Sequence, residues 1–298
     1  MRLHPAVATS VAILGATLIV LTFSELILFN EGPVLGVVGA ESPADLGAAV
    51  VVLIAYYILP GAALIAMQPT LTTWPRVLLA GVLVGWIIEA SLVNVVYEGI
   101  PVSFAWPSIS LHAYIDVLFG VFVLRIALRA HPGVALAATL AMGVAWGLWG
   151  SWPWPETRIT DAEFAKLAAV SAFLLTLGLW LSDRVPPSTG VHPWVGWAVL
   201  LISLGLGVLQ LLPFLPYGLA LVPLVALTGW ALVRARRGEG PLIDAAPPPS
   251  WRYVLPFLSA ALAWFTFATI SAAEMGLPSD EVIPAILVLT VVGYLWVL

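Results

Sequence analysis

Ten apolar runs, each about as long as a bilayer core is thick, constrain this chain more than any other feature. They occupy residues 6–29, 46–68, 77–97, 110–129, 134–152, 165–183, 194–214, 217–235, 253–273 and 281–298. A helix crossing the hydrocarbon core needs about 20 apolar residues. In lipid only helices and closed barrels satisfy their own backbone hydrogen bonds. The runs are continuous rather than alternating, so helices are expected and a β-barrel is not. Composition agrees. Hydrophobic residues make up 61% and charged residues 9% of the chain, against about 25% charged in soluble domains. The expected fold is an all-α, polytopic integral membrane bundle of about ten transmembrane helices. It forms a single transmembrane domain over 1–298. Halves of five runs (1–152 and 165–298) are conceivable, but no repeat is evident between them.

The N-terminus resembles a secretory signal, with a short basic start before an apolar stretch. The apolar character continues to Phe29 without a small-x-small cleavage site, so an uncleaved first span is expected. The segment 32–40 is apolar but too short to span, and is expected to dip into the interface or to cover the outer mouth. Leu59-Pro60-Gly61 should break or kink the second run. Leu215-Pro216 leaves room only for a tight hairpin. The loop 236–250, with two glycines and three consecutive prolines, is expected to be a flexible cytoplasmic linker.

Charge sets an expected orientation. Arg2, Arg76, Arg125, Arg129, Arg184, Arg234, Arg236, Arg237 and Arg252 fall on one set of alternate loops; only Arg158 and Lys166 fall on the other. The positive-inside rule then places both termini in the cytoplasm, with the protein in the cell membrane. The run 234–237 reads as an orientation signal. Trp146, Trp149, Trp152 and Trp154, near the outer end of the fifth run, read as an interfacial belt.

Chemistry in such a chain has to come from ionisable groups within the runs, which are costly there and functional by default. Glu25 lies about one turn below the outer end of the first run. Glu89 lies eight residues before Tyr97, roughly 12 Å deep at 1.5 Å per residue. His112 and Asp116 are spaced i, i+4 and share a helix face. Asn94, with Ser91 and Glu98, forms a second polar line. Runs three and four are joined by a short loop and run antiparallel, so Glu89 and Asp116 reach similar depth in the outer half. A substrate- or proton-binding site built from Glu25, Glu89, Asn94, His112 and Asp116 follows if those faces turn inward. No Lys or Arg lies at that depth in the first four runs, so the carboxylates are expected to be protonated, to share a proton with each other or with His112, or to hold a cation. A metal centre is not expected, because only one histidine is available at depth.

Several classes are excluded. There is no cysteine, hence no disulfide and no thiolate ligand or nucleophile. The one lysine, Lys166, is misplaced for a retinal Schiff base, and no pair of buried histidines exists for haem. Phosphate-loop, zinc-protease and hydrolase motifs are absent. The expected partner is the lipid bilayer, with no nucleic acid; the sequence specifies no substrate, cofactor or oligomeric state. Three functions remain. The first is a secondary transporter or permease with a carboxylate proton or cation site. The second is an intramembrane enzyme acting on a lipid or isoprenoid. The third is an anchoring subunit of a membrane complex.

Overall fold

The computed structural model describes residues 4–152, 159–185, 191–243, 246–273 and 279–298. Every regular element among them is helical, and among them nine helices are long and apolar enough to cross a membrane. The first is α1 (Pro5–Leu21), continued by a π-helical segment, Thr22–Ile27. A short α2 (Glu31–Val38) follows, then α3 (Pro43–Met67). Next comes α4 (Trp74–Ile87), prolonged by a second π-helical segment, Ile88–Leu92. The fourth crossing is a π-helix, Ser108–Val123, ending in α5 (Leu124–Arg129). Then come α6 (Pro132–Gly150), α7 (Asp161–Ser182), α8 (Pro193–Leu211), α9 (Leu221–Arg234) and α10 (Leu255–Ala272). A tenth apolar helix, α11 (Ser279–Val297), completes the bundle.

Local chemistry explains most helix starts. Proline occupies the first turn of α1, α3, α4, α6, α8 and α10, where a missing N–H costs nothing. Ser42 with Asp45, and Thr160 with Glu163, form reciprocal capping boxes at α3 and α7. His131 and His192 accept hydrogen bonds from the backbones of Gly133 and Trp194 at the starts of α6 and α8.

The third run departs from expectation. Its helix stops at Leu92 rather than Tyr97, because Val93 is extended (φ −124°, ψ 176°) and the chain continues through two short 3₁₀ turns to Ser108. Pro101 and Pro107, both after cis peptide bonds, lie in that stretch. Pro60 does not break α3, which runs through it as one helix. Beside the proline the Tyr57 carbonyl accepts a bond from Thr17 Oγ1 at 3.3 Å, which ties α3 to the neighbouring α1.

The connecting loops gather at two ends, as alternating spans require. At one end Arg76 donates to Ala235 O (2.8 Å), and Arg252 donates to Leu128 O and Ala130 O (2.5 and 2.6 Å). Arg125 and Arg129 both reach Asp183 Oδ1, at 2.8 and 2.6 Å, and Tyr253 donates to Asp183 Oδ2 at 2.9 Å. These arginines therefore cover the last carbonyls of α5 and α9 and neutralise a buried aspartate, besides carrying charge. We call this the arginine end; Arg2 and Arg158 lie outside the described residues. The 236–250 loop is tied there by Thr73 Oγ1 to Arg236 O, by Gly238 N to Thr72 Oγ1 and by Arg129 to Ala246 O. At the opposite end Lys166 donates to Val38 O and Ala40 O, closing the C-terminus of α2.

That short helix lies over the end of the bundle. Val34 and Val37 are buried against α3, α7 and the Thr22–Ile27 segment. Phe29, the turn before it, is the one described non-glycine residue with positive φ (65°). The expected tryptophan belt beside it is partly internal. Trp146 and Trp152 are buried, and Trp149 donates to Leu28 O at 2.6 Å; Trp154 lies outside the described residues. The exposed indoles include Trp194, Trp197 and Trp296 instead.

Candidate functional site

Three of the apolar helices combine α- and π-helical bonding, and the intramembrane ionisable groups sit in the π-helical stretches. Glu25 lies in Thr22–Ile27, Glu89 in Ile88–Leu92, and His112 and Asp116 in Ser108–Val123. π-Helical turns are rare and concentrate at functional sites. Small residues bring the three segments together. A Cβ added at Gly81 would lie 2.9 Å from Ala113 Cα, and one at Gly85 would lie 3.1 Å from His112 Cβ. Gly81, Gly85 and Glu89, spaced four apart, thus form the face of the third crossing that packs on the fourth. A Cβ at Gly120 would lie 2.6 Å from the Phe23 ring, which brings the first crossing onto the same helix.

The result is one enclosed polar cluster. Glu25, Glu89, His112 and Asp116 are between 0% and 7% exposed. His112 stands at its centre. Its Nε2 lies 2.7 Å from Glu89 Oε1 and its Nδ1 lies 2.7 Å from Asp116 Oδ2. A second branch starts at Nδ1, 3.3 Å from Ser24 Oγ, and passes from Ser24 to Tyr57 Oη at 2.5 Å. Tyr57 in turn donates to Glu25 Oε1. Glu25 Oε2 and Asp116 Oδ1 are buried without a hydrogen-bond partner.

Counting protons defines what this geometry requires. A carboxylate is acceptor-only, so each 2.7 Å contact to the ring needs a proton between nitrogen and oxygen. Two contacts need two protons, carried by an imidazolium or by one imidazole and one carboxylic acid. In the first arrangement His112 is itself the cation that no Lys or Arg supplies at this depth. On the second branch Tyr57 has one proton and gives it to Glu25, so Ser24 must donate to Tyr57. Donors then point in one direction, from the His112 Nδ1–H, which Asp116 and Ser24 share, through Ser24 and Tyr57 to Glu25.

Four of the five residues expected at the site meet in it, and Glu25 is enclosed rather than wet. Asn94 does not join. It lies beyond the break at Val93, half-buried, at the start of a 3₁₀ turn, and its side chain makes no capping bond. Ser24 and Tyr57 were not anticipated. Their available signals were a serine beside the intramembrane glutamate, and a tyrosine three residues before the only Pro-Gly pair inside an apolar run. Among the described residues no group of three His, Asp or Glu side chains is arranged to hold a metal ion. Both His112 nitrogens already face carboxylates.

Cavities lie on two sides of the cluster. Toward the arginine end, a cavity of about 20 Å³ lies among Thr9, Gln68, Arg125 and Ser182, which is room for one water. A larger one, about 280 Å³, lies under residues 238–243. Gln68, Leu71 and Phe122 border both. Between Phe122 and Asp116 stands an aromatic plug, Phe23 against Phe119, with ring centres 5.9 Å apart. A third cavity, of about 630 Å³ and almost wholly apolar, lies among α3, α4, α8 and α9.

Comparison with protein-family models, with curated proteins and with solved structures finds no match to this chain.

Proposed function

We propose that this polytopic membrane protein is a secondary transporter or permease that binds and releases protons at the Glu25–Glu89–His112–Asp116 cluster. The observation that carries this reading is the directional chain from His112 through Ser24 and Tyr57 to Glu25. A concerted shift along it moves one proton from the imidazolium to Glu25. The Nδ1–H, shared between Asp116 and Ser24, passes to Ser24, Ser24 passes its own proton to Tyr57, and Tyr57 passes its proton to Glu25, which leaves Nδ1 unprotonated opposite Asp116. Glu89 and Asp116 hold the charged ring in place, and the low surrounding dielectric strengthens those bonds. The cluster thus offers two proton sites on one path, the arrangement a coupled carrier needs.

Transport is favoured over an enzyme pocket by what lies beyond the aromatic plug. Two cavities stand on the arginine side of the cluster, at Arg125 and beneath residues 238–243, as a route to that end requires and a blind pocket does not. By the positive-inside rule that end is cytoplasmic, with both termini on it, and the cluster lies in the outer half. The intramembrane enzyme remains as a second reading. The large apolar cavity favours it, because Ala90 and Ser91 on its wall belong to the same segment as Glu89.

The test needs no knowledge of the substrate. Proteoliposomes adsorbed on a solid-supported electrode are exposed to a pH step, and the transient current of protons entering a buried site is recorded. The wild type should give a transient that Asp116→Asn and Glu89→Gln each abolish, with both variants still inserted. A wild-type record no larger than that of protein-free liposomes would reject the proposal.

A further inference from the structure

The cavity of about 630 Å³ among α3, α4, α8 and α9 has no part in the proton chain, and its volume is that of a small-molecule site. Its wall on α8 extends from Gly196 to Leu211, about 22 Å at the rise of an α-helix. That is long and narrow, the shape of one extended hydrocarbon chain. The outer face of α8 is exposed, with Leu201 at 66% and Leu209 at 64%, so the cavity lies beside lipid. One feature separates it from a passive groove. Ser203 lines it and is 9% exposed, yet its hydroxyl has no hydrogen-bond partner. Its backbone carbonyl accepts from Ser91 Oγ at 3.0 Å, so the neighbouring serine is already committed. An unpaired buried hydroxyl costs about 1–3 kcal/mol.

Depth narrows the occupant. Ser203 lies near the middle of α8 (Pro193–Leu211), hence near mid-membrane. The ester groups of glycerophospholipids stay at the interface and do not reach that level. We infer that this cavity binds a single-chain membrane amphiphile, a long-chain alcohol or ketone whose oxygen pairs with Ser203 Oγ while its chain runs along the groove from there. The inference holds whether or not the His112 cluster moves protons.

Photolabelling tests it on the full chain in phosphatidylcholine nanodiscs. The probe is hexadecanol carrying a diazirine near its hydroxyl end, and cross-links are mapped by peptide mass spectrometry. Labelling should concentrate around Ala90 and Ser203 rather than at Leu201 and Leu209. Unlabelled hexadecanol should compete, and hexadecane should compete about three- to tenfold less well, the worth of one neutral hydrogen bond. Ser203→Ala should erase that difference. Gly196→Leu, whose added side chain starts in open space, should narrow the groove and lower labelling without requiring the fold to shift. Even labelling of groove and outer face would overturn the inference. So would equal labelling by a diazirine phosphatidylcholine, which marks ordinary boundary lipid. Loss of the pH-step current with groove labelling retained would reject the transport reading alone.

Discussion

Replacing Glu89 by Gln and Asp116 by Asn, singly and together, tests whether His112 and its two carboxylates act as one unit. Each carboxylate oxygen sits 2.7 Å from a ring nitrogen, with His112 side-chain exposure at 5% and those of Glu89 and Asp116 at 9% and 0%. A hydrogen bond to a charged group contributes about 1.5–3 kcal/mol, and a neutral one about 0.5–1.5. Either single variant keeps an acceptor of the same shape and removes one charge, so each should cost about 1–2 kcal/mol. Once one carboxylate is gone the ring has less reason to hold its second proton, and the remaining contact is already weakened. The second substitution should therefore cost less than the first, with a coupling energy of about 1 kcal/mol, inside the range for residues of one network. Unfolding in mixed micelles, followed by tryptophan fluorescence, measures all four corners of the cycle. Additivity within about 0.3–0.5 kcal/mol would mean independent contacts and would refute the shared imidazolium.

Three further outcomes are expected. Asp183→Asn should destabilise the protein by about 3–5 kcal/mol in the same unfolding assay, because it strips the counter-ion from Arg125, which is 5% exposed; a loss below 1 kcal/mol would make the arginine cluster a surface feature. Gly61→Ala should lower stability although alanine favours helices by about 1 kcal/mol, since its Cβ would lie 2.9 Å from the Thr17 backbone nitrogen and overpacking costs about 1–3 kcal/mol. In this cysteine-free chain, an impermeant thiol reagent on intact cells should label Ser42→Cys at the α2 end and spare Glu239→Cys at the arginine end, and the reverse pattern would invert the proposed orientation.

The bundle was legible in the sequence because lipid leaves so little choice. An apolar run of some 20 residues can hydrogen-bond its backbone only as a helix, so run length and spacing dictated nearly every crossing. The ionisable groups were equally visible, since Glu25, Glu89, His112 and Asp116 stand out against apolar surroundings, and the i, i+4 spacing of His112 and Asp116 already placed them together. Tertiary structure decided what hydropathy does not encode. The break at Val93, which left Asn94 outside the site, arises in a stretch as apolar as the helix before it. The π-helical segments of Glu25, Glu89 and His112 meet at one point, and close packing at Gly81, Gly85 and Gly120 lets them approach. Tyr57 entered because α3 crosses α1 closely at Gly61, a contact between residues 40 apart in the chain, Thr17 and Tyr57. Sequence determines which segments must be helices and which groups lipid will not tolerate alone. Only the packed bundle determines which of those groups meet, because partnership across helices is set by the rotation and close approach of whole elements.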